Sequence, residues 1–182
     1  LAEPGPSWGS VDRGRLMPPQ GEDNLAWKAA RWLQQTFGVQ DGVEIRLYKR
    51  VPMGAGLGGG SADAAAVIRG LRRLWRLRVT AQHLRTLSAA LGADVPFLLG
   101  GRAGRLRGRG DRIEPLPPWP GLPLVIVPLA RAVSTAWAYA SWDRWQERAA
   151  GGPRRDASRF VQMFRRRDLA GMAREAANDF EP

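Results

Sequence analysis

Apolar residues recur every three or four positions along much of the chain, a spacing typical of amphipathic helices. The first predicted helix follows Asn24, whose side chain can accept a hydrogen bond from the first turn, and Gly38 is a stop signal after its end. Its apolar stripe consists of Leu25, Ala29, Trp32, Leu33 and Phe37. Helices of the same kind are predicted at about 61–75, 81–91, 134–148, 157–166 and 168–178.

Other stretches predict extended structure or loops. Apolar and polar residues alternate over 43–51, which predicts a strand that ends before Pro52. The apolar run 122–127 predicts a buried strand, and a short strand is expected at about 104–106. Residues 1–23 are rich in Gly, Pro and Ser and are interpreted as loop.

The run from Gly54 to Gly60 joins the predicted strand to the following helix and contains five glycines. Glycine has no Cβ, so successive backbone amides can approach a ligand closely, and the helix that follows adds unpaired N–H groups and the positive end of its dipole. This combination favours a phosphate-binding loop in which Ser61 contacts phosphate or magnesium, or caps the helix. A tight turn without a ligand is the alternative. The Gly-Lys-Ser/Thr ending of a Walker loop is missing, as is the setting of a dinucleotide fingerprint.

Composition narrows the class of protein. The chain has 182 residues, 44% of them hydrophobic, and no cysteine, which excludes disulfides and thiolate chemistry and favours a cytoplasmic location. No apolar run is long enough to cross a bilayer, so a membrane partner is not expected. The net charge of +11 raises nucleic acid as a partner, but the cations are nearly all arginines spread along the chain. We interpret them as a solvated surface.

Several motifs together resemble one family. The run from Pro52 to Ser61 resembles the phosphate-binding motif of the GHMP kinases, and its triple glycine is the form found in the branch that acts on 4-diphosphocytidyl-2-C-methyl-D-erythritol. The segments 24–30, 91–97, 133–139 and 178–181 resemble other family segments in the same order. The resemblance implies an α+β fold: residues 1–150 form part of an N-terminal domain like domain 2 of ribosomal protein S5, and 151–182 begin a ferredoxin-like C-terminal domain. Because the chain begins on Leu1 and stops at Pro182 within a predicted helix, we expect a piece of a longer protein.

The resemblance also implies a function. The parent enzyme is expected to transfer the γ-phosphate of ATP, with magnesium, to the 2-hydroxyl of this cytidyl diphosphate sugar alcohol, in the methylerythritol phosphate route to isoprenoids. The residues assigned to ATP are Lys49, Pro52, Met53, Gly54, Ala55, Gly56, Leu57, Gly58, Gly59, Gly60 and Ser61. No protein ligand to a metal is assigned, and a monomer or homodimer without nucleic acid is expected. The alternatives are a GHMP kinase for homoserine or mevalonate, a catalytically dead relative and a basic nucleic-acid-binding module.

Asp94 is the expected catalytic residue. A carboxylate near the acceptor hydroxyl can orient it and take its proton, and the resemblance gives the aspartate at this position that role beside a lysine upstream of Leu1. The sequence Asp94-Val95-Pro96 is also typical of a residue that caps a short turn, and spacing alone favours the cap, whereas the resemblance favours catalysis.

Four further positions are considered for a role in the site. Thr135 and Tyr139 share a face of a predicted helix, and the resemblance implies that they bind substrate, with Tyr139 stacked on cytosine; an aromatic residue there can also belong to the core. Lys49 either lies near phosphate or is an exposed residue at the end of the strand. Asp63, in the first turn after the loop, is interpreted as structural.

Overall fold

The computed structural model describes residues 20–51, 55–101, 103–108, 110–119, 121–127, 135–148, 156–178 and 180. Within these ranges the helices are α1 (Leu25–Phe37), α2 (Gly59–Leu74), α3 (Ala81–Ser88), α4 (Val95–Gly100), α5 (Thr135–Arg148), α6 (Ser158–Arg166) and α7 (Leu169–Glu175). The strands are β1 (Gly104–Arg107) and β2 (Arg112–Pro115). A single 3₁₀ turn, Gly21–Asp23, precedes α1.

Local signals placed the ends of several helices correctly. The Asn24 side chain accepts a hydrogen bond from the Ala26 amide at 2.9 Å, and Gly38 ends α1 in the left-handed conformation with φ of 64°. Thr80 caps α3 in the same way, through the His83 amide at 3.1 Å. These caps work within a few residues, so the sequence predicts them without knowledge of the packing.

The core is made by helices α1 to α4. Helix α2 packs against α1 on one side and against α4 on the other, and α3 packs against α4. Small side chains lie between α1 and α2, where Ala29 and Ala64 are completely buried, so the two helices approach closely. The buried core residues are Ala29, Ala30, Leu33, Ala64, Ala65, Ile68, Leu71, Leu84 and Val95.

Strands β1 and β2 form an antiparallel hairpin in which Leu106 pairs with Ile113. The sequence predicted β1 but not β2. The hairpin is joined to α6 by side chains: Arg105 bonds Asp156 at 2.6 Å, and Arg165 bonds Glu114 at 2.9 Å. Near them, Trp119 and Phe164 meet edge to face.

The C-terminal helices lie where the sequence predicts them, except that α7 ends before its predicted C-terminus. Helix α5 begins at Thr135 and α6 at Ser158, close to their predicted starts. Helix α7 packs against α6, and the Asp168 carboxylate caps it through the Gly171 amide at 2.8 Å. Helix α7 ends at Glu175 rather than at 178. The break predicted at 151–153 lies outside the described residues.

Two predicted strands were wrong. Residues 43–51 form no strand, although the expected alternation survives in their burial, because Ile45 and Leu47 are half-buried while Arg46 and Tyr48 are exposed. The run 122–127, predicted to be buried, is exposed apart from the partly buried Leu122, and Val125 has 92% of its surface accessible. A strand requires a hydrogen-bonded neighbour, and no described residue supplies one to either segment. An alternating or hydrophobic pattern shows that a segment is suited to a strand, but it does not show that a neighbouring strand is present.

The fold class agrees with the prediction, since helices are combined with a small antiparallel sheet in an α+β arrangement. Across the described ranges, every helix is too short or too polar to cross a lipid bilayer.

Candidate functional site

The glycine loop leads into the N-terminus of α2. Gly58 is the N-cap and adopts a left-handed conformation, with φ of 65° and ψ of 17°, which glycine takes at little cost. No side chain caps the helix, and the first helical bond to the cap runs from the Ala62 amide to the Gly58 carbonyl at 2.9 Å. The amides of the first turn have no acceptor within the helix and therefore suit an anion.

The described part of the loop is open. Ala55, Gly56 and Leu57 are exposed, and no atom lies within 4 Å of the position that a Cβ on Gly56 would take. Pro52, Met53 and Gly54, which were assigned to ATP, lie outside the described residues. The loop that the structure describes thus leaves space for a ligand above its backbone.

Ser61 is the third residue of α2 and not its cap. The predicted helix start at about residue 61 was two residues late, because Gly59 and Gly60 are already helical. The capping alternative for Ser61 was therefore wrong. Its side chain, which is partly buried, lies in the first turn with the free amides.

Asp94 occupies the N-cap position of α4 but does not act as a cap. Its backbone has right-handed helical φ and ψ, and its side chain makes no capping hydrogen bond. The residue is exposed, and within the described ranges no hydrogen bond or ion pair of its carboxylate is found. The capping alternative, which spacing alone favoured, was wrong, and the carboxylate is available to a ligand.

Leu98 links Asp94 to the loop. Its Cδ1 lies 3.9 Å from the position that a Cβ on Gly58 would take, and its amide donates to the Asp94 carbonyl at 3.0 Å. Asp94 is therefore one helical turn, about 5 Å along the axis, from the residue that contacts the loop. Sequence reasoning did not identify Leu98, since an apolar residue in a short helix carries no signal of its neighbour.

Lys49 is not the exposed residue that one interpretation expected. Its side chain retains only 16% of its accessible surface, and its Nζ donates to the carboxylate of Asp63, which lies just after the first turn of α2. The structure therefore brings Lys49, Asp63 and the glycine loop together.

Tyr139 lies on α5 in an aromatic group and not in the core. Its ring meets Phe180 edge to face with centroids 5.2 Å apart, and 56% of the residue is exposed. Trp142 contacts Phe180 from the same helix. The side chain of Thr135 lies outside the described residues. No hydrogen bond or ring contact in the described part of the chain joins Tyr139 to the loop or to Asp94.

A magnesium ion at this site would be bound mainly by the phosphates of the nucleotide. Among the described residues, no group of three or more His, Cys, Asp or Glu side chains could hold a metal ion. Oxygen ligands suit magnesium, which is commonly bound through substrate phosphates and one or two protein groups. The Ser61 hydroxyl and the Asp94 carboxylate are oxygen donors of the type that would coordinate the ion from the protein side.

Comparisons with known proteins find similarity to one family of kinases. Residues 24–102 match the family model described as the GHMP kinases N terminal domain, which includes the loop, α2 and α4. The chain is 44% identical over 169 residues to 4-diphosphocytidyl-2-C-methyl-D-erythritol kinase of Synechococcus sp. (strain JA-3-3Ab), covering 90% of this chain and 54% of that protein. It is 44% identical over 172 residues to the enzyme of that name from Moorella thermoacetica, covering 94% and 59%.

A solved structure is also similar. The crystal structure of a 4-(cytidine 5'-diphospho)-2C-methyl-D-erythritol kinase matches with a TM-score of 0.63 at 36% identity, over 91% of this chain and 57% of that one. The chain thus spans a little more than half the length of these relatives. The matched motifs, the sequence identity and the shared fold lead to one conclusion: the chain belongs to the GHMP kinase family, with residues 24–102 in its N-terminal domain.

Proposed function

We propose that this chain is part of a kinase that transfers the γ-phosphate of ATP to the 2-hydroxyl of 4-diphosphocytidyl-2-C-methyl-D-erythritol. The observation that carries the proposal is the exposed carboxylate of Asp94, which makes no capping hydrogen bond. Asp94 lies one helical turn from Leu98, whose side chain lies beside Gly58 of the loop. The names of the relatives support this acceptor over homoserine or mevalonate.

The loop and α2 would bind the triphosphate. The first-turn amides that follow Gly58, together with the positive end of a 16-residue helix, provide donors and a favourable field for phosphate oxygens. The assignment to ATP of Lys49 and of 52–61 belongs to this proposal. A bound magnesium ion would neutralise charge on the phosphates.

Asp94 would act on the acceptor. The 2-hydroxyl oxygen forms a bond to the γ-phosphorus, the bond from that phosphorus to the bridging oxygen breaks, and ADP leaves. The hydroxyl proton passes to the Asp94 carboxylate, which the structure leaves without a capping bond. Positioning and charge stabilisation supply most of the rate in such reactions, so the aspartate acts together with the rest of the cleft.

Tyr139, with Thr135, would bind the cytidyl end of the acceptor. More than half of Tyr139 is exposed, and Phe180 contacts its ring edge to face, so a face remains for a base. The proposed domains are an N-terminal domain in 1–150 and the beginning of a C-terminal domain in 151–182. A cytoplasmic monomer or homodimer stays a prediction.

The test uses the full reading frame that encodes this chain, with the 182-residue chain assayed beside it. Each protein receives ATP, magnesium and either the cytidyl substrate, homoserine or mevalonate, and phosphorus NMR follows the product. Transfer to the 2-hydroxyl of the cytidyl substrate alone is expected from the full frame. Transfer only to another acceptor, or none, would overturn the proposal. Salt-sensitive binding to DNA without any transfer would favour the nucleic-acid module.

A further inference from the structure

A largely buried ion pair connects the two ends of the glycine loop. Lys49 precedes the loop and Asp63 is the fifth residue of α2, and their side chains retain 16% and 23% of their accessible surface. The Lys49 Nζ donates to Asp63 Oδ2 across 14 residues of sequence that contain the whole loop. The pair therefore closes the loop with a side-chain contact.

The same lysine lies against the backbone of the loop. A Cβ on Gly59 would stand 3.4 Å from the Lys49 Nζ and 3.4 Å from Cγ1 of Val51. A Cβ at this position would therefore be in van der Waals contact with both side chains. Lys49 and Val51 thus support the loop at the residue where α2 begins.

The position of Asp63 has an electrostatic consequence. Asp63 begins the second turn of α2, where a carboxylate gains less from the helix dipole than in the first turn and repels a phosphate bound at the helix N-terminus. The ammonium of Lys49 compensates this charge, and removal of either partner leaves the other charged in a place with little solvent. An unpaired Lys49 would have to turn away from Gly59 to be hydrated.

A second ion pair offers a control in the same segment. Arg46 and Glu44 are bonded at 2.7 Å, but both side chains are 73% exposed. Exposed pairs of this kind contribute little to stability. Loss of the Glu44 charge therefore changes the net charge by the same amount as loss of the Asp63 charge, without affecting the loop.

We infer that Asp63 is a positioning residue for nucleotide binding, which acts by holding Lys49 against Gly59 and so fixes the shape of the glycine loop. The inference rests on the proposed function, because it takes the loop's ligand to be the triphosphate of ATP. It changes the interpretation of Asp63 from a residue that only favours the helix to one that prepares the site.

The first experiment needs no nucleotide. Hydrogen exchange of the amides at 55–61 is measured in the full reading frame for the parent, Asp63→Asn, Asp63→Glu and the control Glu44→Gln. We expect faster exchange in the loop for Asp63→Asn, parental exchange for Glu44→Gln and partial recovery for Asp63→Glu. Parental exchange in Asp63→Asn, with the protein folded, would overturn the inference whether or not ATP is the ligand.

The second experiment measures ATP affinity by calorimetry and its KM in the transfer reaction, for Asp63→Asn, Lys49→Met and the double variant. Each single variant should weaken ATP binding about five- to fiftyfold, and the double variant should be no weaker than the worse single variant, because both remove one interaction. The melting temperature is measured in parallel. A purely structural role would lower the melting temperature and leave the KM for ATP unchanged, which would overturn the inference.

The two proposals fail differently. Absence of ATP binding by the parent contradicts the proposed function, and loop exchange then decides the role of Asp63 by itself. ATP binding that is equally strong in the parent and in a folded Asp63→Asn protein contradicts only the role of Asp63. Additive losses in the double variant would show that Asp63 does not act through Lys49.

Discussion

Leu98 of α4 lies beside Gly58, the N-cap of α2, with its Cδ1 3.9 Å from the position that a Cβ on that glycine would take. Helix α4 packs against α2, and Asp94 lies one helical turn from Leu98. The phosphate-binding candidate and the catalytic candidate are 36 residues apart in sequence, and an apolar contact brings their elements together.

Valine at Gly58 should weaken ATP binding. Gly58 has φ of 65°, and a side chain there also approaches Leu98. Gly38 is the matched control, since it has φ of 64° with no atom near its Cβ position and ends α1. Both substitutions should cost about 1–2 kcal/mol of stability for the left-handed backbone. Calorimetry should show weaker ATP binding only for Gly58→Val, and equal loss in both variants would contradict a special role for the loop.

Asp94→Asn should lower turnover about a hundredfold to ten-thousandfold while ATP affinity stays near that of the parent. The amide keeps the shape of the carboxylate but accepts no proton. A steady-state assay of the full reading frame measures both quantities. Turnover within about threefold of the parent would contradict the assignment of Asp94 as general base.

Alanine at Asp94 separates catalysis from capping. Asp168 is the control, because its carboxylate caps α7 through the Gly171 amide, whereas Asp94 makes no such bond. Asp168→Ala should lose about 1 kcal/mol of stability and keep its turnover, and Asp94→Ala should show the reverse. Denaturant unfolding and the transfer assay distinguish the two outcomes.

Tyr139→Ala should raise the KM for the cytidyl substrate and leave the KM for ATP unchanged. Stacking of a base on an aromatic ring contributes about 1–3 kcal/mol, which corresponds to roughly five- to more than a hundredfold in affinity. Tyr139→Phe should keep most of the affinity. Trp145→Ala is the control on the same helix, because Trp145 stacks on Trp142 and does not contact Phe180 in the described structure. An unchanged KM for the cytidyl substrate in Tyr139→Ala would place the stacking residue elsewhere.

The hairpin should loosen from α6 in acid. A hydrogen bond from the side chain of Ser158 is the main cause that lowers the pKa of Asp156 below its ordinary value of 3.8. Desolvation raises this pKa, whereas the Ser158 amide and the charge of Arg105 lower it further. Because the pKa is depressed in the folded state, the stabilisation is complete above 3.8 and is lost as the pH falls through the folded value. The melting temperature of Asp156→Asn should therefore depend less on pH below about 4 than that of the parent. Identical pH profiles would contradict this role.

Much of the helical structure could be predicted from the sequence. Asn24, Thr80 and Gly38 act on backbone groups within three or four residues, so their effect is encoded locally. The glycine loop could be recognised for the same reason, since the conformational freedom of Gly58 belongs to the residue itself. The family motifs added the candidate chemistry of Asp94.

Long-range contacts decided the rest. The segments 43–51 and 122–127 have the composition of strands but lack a hydrogen-bonded neighbour among the described residues, while β2, which carried little signal, pairs with β1. Asp94 has the sequence of a cap but adopts a conformation in which its side chain does not cap α4. The contact of Lys49 with Asp63 joins residues on either side of the loop. Propensity, capping and glycine freedom are local properties of the sequence, whereas strand pairing, ion pairing and the exposure of the Asp94 carboxylate depend on which distant groups the packed chain brings together.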